Sequence, residues 1–196
     1  MLNPKTSATT LGCPNWDLKT IARNLSEYGY DAVDFRGLGE CLDVTMAPEF
    51  TAELAESQRI LGDAGVAVSC ISSSIRICEK DRLDENLEEA RRTIALAVEL
   101  GAPFVRVFGG GDVDVFSRPV LVEAAGETVE SILALDGAAA LRWCVETHDH
   151  WVGADDVLLL LDSLPAQVGV VWDVGHTPRI TKERPSDSWA AYGARV

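Results

Sequence analysis

The run VGVVWDVGH (168–176) carries apolar residues as far as Asp173 and sets His176 three residues beyond it. Upstream, LRWCVETHDH (141–150) ends in the same way, in Glu146 followed by His148 and His150. All three histidines of the chain therefore stand just after two apolar runs. Carboxylate and imidazole are the ligand set for Mn²⁺, Zn²⁺, Co²⁺ or Fe²⁺, with Mg²⁺ served mainly by the oxygens. By spacing alone, Asp173-x-x-His176 is more often a turn pair than a ligand pair; Glu146 at the preceding strand end brings the two readings level. His148 and His150 read sooner as helix-start or surface residues than as ligands.

Other polar groups at the ends of apolar runs are Asp34 with Arg36, Ser72 to Ser74, and Gly109 to Asp112. The run FGGGD lacks the G-x-x-x-x-G-K-[ST] spacing of a phosphate loop and reads as a tight loop that lets a substrate approach. Asp112 and Asp114 read as loop solvation, and the acid-rich segment 81–89 as an exposed helix face. Cys144 shares the strand face of Glu146, two residues on, and reads as buried packing.

These residues are positioned by one repeated pattern of helix, glycine, short apolar run and polar loop. Asp17 caps a helix with Leu18, Ile21, Ala22 and Leu25 on its apolar face, stopped near Gly29, and AVDF (32–35) follows as a buried strand. Phe50, Leu54 and Leu61 mark a second helix before Gly65, then VAVSCIS (66–72). Asp84 caps a third, with Leu87, Ile94 and Val98 on one side, leading to FVRVF (104–108). A fourth within 118–135 leads to LRWCVE (141–146), and a fifth around 155–163 leads to VGVVWD (168–173). With ATTLGC (8–13) at the start, six strands and five helices are predicted, with no linker between them. Strands apolar on both faces imply a parallel sheet covered by helices. A doubly wound sheet fits six strands directly, whereas a (β/α)8 barrel needs eight and ~250 residues. In both, function gathers at the carboxyl ends of the strands.

A length of 196 residues suits one domain, 1–196. The stretch MLNPKTSATT has no apolar leader core and no run reaches the roughly 18 residues of a membrane span, which makes the cytoplasm the default. Five cysteines without a C-x-x-C pair read as reduced core thiols. A formal charge of −14 repels polyanions, so nucleic acid is not the expected partner; a small molecule is.

The segments NWDLKTIARNLSEYGYDAVDFRG, LGAPFVRVFGG, CVETHDHW and VVWDVGHTPR, in order from about residue 8 to the end, resemble the sugar phosphate isomerase/epimerase superfamily. These are the xylose isomerase-like TIM barrels, among them endonuclease IV, inosose dehydratases and hydroxypyruvate isomerases. The resemblance implies a (β/α)8 barrel and one divalent ion held by a Glu on strand five, an Asp on strand six, a His on strand seven and a Glu on strand eight. Glu146 and Asp173 match the first two ligands. His176 matches the histidine after the strand-six Asp, a substrate-binding group near the metal. Arg36 stands where the family often has an Arg after a strand-two Glu, here Asp34. His148, beside Glu146, joins Arg36 and His176 as a substrate-binding candidate. No histidines stand at the ends of strands three and four, where the trinuclear endonuclease IV site needs them.

The expectation is thus a (β/α)8 TIM-type barrel that stops after about six βα units, before strands seven and eight and their two ligands. With two of four ligands present, weak metal binding is expected. The implied activity is a Mn-, Mg-, Co- or Zn-dependent isomerase or epimerase of a small keto-sugar or polyol. Glu146 is then ligand and base, taking an α-proton to give an enediolate. Inosose-type dehydration shares that opening step. A non-catalytic small-molecule-binding protein is the alternative if the natural chain ends at Val196. Its open barrel edges would then favour a homo-oligomer.

Overall fold

Asp17 accepts a hydrogen bond from the Thr20 N–H (2.8 Å) and starts α1 (Leu18–Tyr28), which Gly29 ends in the left-handed region at φ +77°. The computed structural model describes residues 4–196, so the opening MLN of the stretch read as leaderless lies outside the described residues. The other strands and helices follow the predicted alternation, with two exceptions. ATTLGC is strand only to Thr9 and turns into a 3₁₀ helix over Thr10–Gly12, and two helices beyond the predicted five follow the last strand. The other elements are β1 (Ser7–Thr9), β2 (Ala32–Phe35), α2 (Leu54–Ala64), β3 (Ala67–Arg76), α3 (Leu83–Leu100), β4 (Phe104–Phe108), α4 (Arg118–Leu133), β5 (Arg142–Glu146), α5 (Ala154–Asp162), β6 (Gly169–Val171), α6 (His176–Thr181) and α7 (Pro185–Tyr192).

The strands adjoin in sequence order, β1 to β6. A doubly wound sheet reverses its order at a switch point, so this is the order of a (β/α)8 barrel. Packing groups the chain into two compact units. One holds the described residues through Ser73 together with Arg92–Val105; the other holds Ser74–Arg91 and Arg106–Val196.

In the first unit, β1 pairs parallel with β2, Thr9 opposite Asp34, and β2 with β3, with a register shift after Val33 that sets Asp34 opposite Cys70. Leu18, Ile21, Ala22 and Leu25 of α1 are buried, as are Val33 and Phe35 of β2. Phe35 meets Phe50 edge to face with centroids 4.7 Å apart. Phe50 sits in a separate 3₁₀ turn (Pro48–Phe50) rather than in α2, because Pro48 starts a short turn that closes before Leu54.

In the second unit, β5 pairs parallel with β6, Glu146 opposite Val171. Val157, Leu161, Val170 and Tyr192 form a core cluster against Trp172. Arg195 donates to the carbonyls of Val168 and Pro165, closing the turn before β6.

Three local expectations shift. Ser72 to Ser74 lie inside β3, because the buried alternation continues through Ile75. Asp84 falls in the first turn of α3 rather than at its cap. Val98 is 53% exposed while Ala90, Ile94 and Ala97 are buried, a face rotated from the predicted one. All five cysteines are free. Among the described residues, no helix is long and apolar enough to cross a membrane.

Candidate metal centre

Alternation along β4 puts Arg106 and Phe108 on one face and Val105 and Val107 on the other. Arg106 is only 4% exposed, and its Nε lies 3.0 Å from Glu146 Oε2, at the end of β5. Its guanidinium stacks on the Phe108 ring, 3.9 Å from the centroid. Phe108 in turn packs against His148 (4.9 Å between centroids), and His148 meets His176 edge to face at 5.0 Å. The end of β5 and the start of α6 thus bring together residues thirty apart in sequence.

Ligand atoms of Glu146, His148 and His176 lie within 4.8 Å of one another. Each imidazole has a carboxylate at its Nδ1. Asp149 Oδ1 is 2.8 Å from that of His148, and Asp173 Oδ2 is 3.1 Å from that of His176, a close ion-pair contact without hydrogen-bond alignment. Metal-ligating histidines are held this way, one ring nitrogen toward a carboxylate and the other toward the ion. Asp149 adopts φ +53°, a left-handed conformation that an Asp tolerates better than most residues. Asp173 is itself fixed: Oδ1 accepts from the Gly175 N–H (2.8 Å) and the His176 N–H (2.9 Å), and its own N–H donates to Thr147 Oγ1 (2.8 Å). Two imidazoles and a carboxylate within this span are a donor set that fits a divalent ion.

Glu146, His148 and His176 converge, whereas the expected ligand Asp173 is joined to them through His176. His150 is exposed and lines a cavity of about 900 Å³ with Cys78, Phe116 and Leu121. Arg36 belongs to the first unit, where its N–H donates to Thr10 Oγ1 (2.9 Å) and its Nη1 to the Leu42 carbonyl (3.0 Å). Of the glycine run, Gly111 lines the same cavity as His150, and the glycines lie close against the protein's own side chains. A Cβ on Gly109 would run into the Trp151 ring, and one on Gly111 would come within 2.9 Å of Leu121. The space belongs to the protein's own side chains, with Trp151 Nε1 donating to the Gly110 carbonyl (2.8 Å). Cys144 is buried, which pushes its thiol pKa up and keeps it protonated, as packing requires.

Arg106 was not singled out by the sequence reading. Its signal was present: a permanent charge at the centre of FVRVF must find a partner wherever that strand is buried.

The six strands, adjoining in sequence order with Glu146, His148 and His176 gathered after β5 and β6, are those of a (β/α)8 barrel. The chain belongs to the xylose isomerase-like TIM barrel family, whose model matches residues 22–195. Similar solved structures include the probable 3-DHS dehydratase AsbF of Bacillus anthracis, involved in petrobactin synthesis. It has TM-score 0.80 and 17% identity, over 98% of this chain and 71% of that one. A sugar phosphate isomerase/epimerase from Parabacteroides distasonis has TM-score 0.69 and 14% identity, over 100% and 73%. A xylose isomerase-like TIM barrel protein from Mycobacterium smegmatis, in complex with magnesium, has TM-score 0.71 and 20% identity, over 99% and 73%. No curated protein matches the sequence at a significant level.

Proposed function

We propose that the protein is a divalent-metal-dependent isomerase or epimerase acting on a small keto-sugar or polyol. The observation that carries this reading is the convergence of Glu146, His148 and His176, each imidazole backed by a carboxylate. Those three would hold the ion, with Asp173 orienting His176 and Asp149 orienting His148. Nitrogen donors favour Zn²⁺, Co²⁺ or Mn²⁺ over Mg²⁺. A bound ion would polarise adjacent carbonyl and hydroxyl oxygens of the substrate and acidify the proton between them. Glu146, held at Oε2 by Arg106, takes that proton on its other oxygen and returns it, passing through an enediolate. His176 and His148 also line the place where the sugar hydroxyls would lie.

Solvent deuterium distinguishes this chemistry. With a panel of keto-sugars and polyols and added Mn²⁺, the substrate α-position should take up deuterium, and Glu146→Gln should abolish the uptake. General-base help is worth about 10²–10⁴-fold, and this change weakens the metal site as well, so the loss should exceed that range. Turnover without label in substrate or product would point to a hydride shift instead. Dehydration of a hydroxy-ketone begins with the same proton abstraction, and the likeness to AsbF favours it as the second reading. Loss of water from the labelled substrate would establish that course.

A further inference from the structure

Arg106 is the one buried charged residue among the described residues. A guanidinium cannot shed its proton, so the fold carries a permanent positive charge beside the place meant for a divalent cation. That charge should repel the ion. It also compensates Glu146, whose Oε2 it holds at 3.0 Å, and it is kept in place by the Phe108 ring at 3.9 Å.

We propose that Arg106 is a positioning residue, the resident counter-cation of Glu146. It fixes one carboxylate oxygen, holds the carboxylate facing His148 and His176, and keeps it compensated when no ion is bound, at the cost of weaker metal affinity. This rests on the reading of Glu146 as a metal ligand. A buried carboxylate stripped of its partner is strongly unfavourable, whereas removing both partners can be nearly neutral. With Arg106 gone, an incoming ion meets an uncompensated carboxylate and no repulsion. In a half-buried site that gain outweighs the extra freedom of one Glu side chain.

The test compares wild type, R106M, R106K and R106M/E146Q by thermal melting with and without Mn²⁺ and by calorimetric Mn²⁺ titration. R106M should melt below wild type without metal and recover most of the loss in saturating Mn²⁺, since tighter binding to the folded state raises its stability. Its Mn²⁺ affinity should rise at least tenfold, while R106K, with the charge retained, stays within threefold of wild type. R106M/E146Q should melt near wild type without metal; if R106M does not fold, folding of this double variant carries the same conclusion. An equal loss of stability in R106M with and without Mn²⁺, at unchanged affinity, would show that Arg106 only packs. Failure of both R106M and R106M/E146Q to fold would show the same. A wild-type protein that takes no Mn²⁺ would overturn the metal reading and this role together.

Discussion

The strand ends of the two units use similar residues to different ends. In the first, polar groups close on one another. Asp34 Oδ1 accepts from Ser72 Oγ (2.7 Å), and Thr10 Oγ1 donates to the Gly37 carbonyl (2.6 Å). Asp43 accepts from the Thr45 N–H (3.0 Å) and from Arg92 Nη2 (3.0 Å). In the second, Glu146, His148 and His176 are held from behind by Arg106, Asp149 and Asp173 while their donor atoms gather at one point. A polar pair that satisfies itself stabilises a fold; donors oriented from behind and gathered in front suit a ligand.

Removing Glu146 should have the largest effect. Glu146→Ala removes the carboxylate 3.0 Å from the buried Arg106 charge and should cost about 3 kcal/mol in urea unfolding. Mn²⁺ affinity should fall at least a hundredfold in the same protein. Two aspartates then sharpen the contrast. Asp173→Asn loosens His176 and should lower Mn²⁺ affinity about 10–100-fold. Asp34→Asn should instead cost stability, about 1–3 kcal/mol through its bond to Ser72, and leave Mn²⁺ affinity within twofold. Equal effects of the two on affinity would dissolve the distinction between the regions.

The smallest effect belongs to the helix cap. Hydrogen bonding from Thr20 holds the Asp17 carboxyl below its usual pKa. A lowered folded-state pKa gives stability that is present above the unfolded value of about 3.9 and lost as pH falls through the folded value. Asp17→Ala should therefore cost about 1 kcal/mol at pH 7 and at pH 5, with the difference shrinking below about pH 4.

Strands were legible where apolar runs were bounded by glycine or acid. AVDF and FVRVF match β2 and β4 residue for residue, and the α1 cap and stop stand where Asp17 and Gly29 put them. Ends were less legible where alternation ran past a polar cluster, as in the serines of β3, or where proline made a separate turn, as at Pro48. Glu146, His148, Asp173 and His176 were legible as candidates because carboxylate and imidazole stand at two successive strand ends. Their division of labour was not, because it depends on which way each side chain turns. Spacing alone did not separate His148, turned to Glu146 and His176, from His150, which lines a cavity. Nor did it show that Trp151 fills the space above Gly109.

That difference between two histidines on one loop gives the most direct test of the metal centre. Calorimetric titration of Mn²⁺ into wild type, His148→Gln and His150→Gln should show affinity at least tenfold weaker for His148→Gln and unchanged for His150→Gln. Equal affinity in all three proteins would contradict the Glu146–His148–His176 site and return the second ligand position to Asp173.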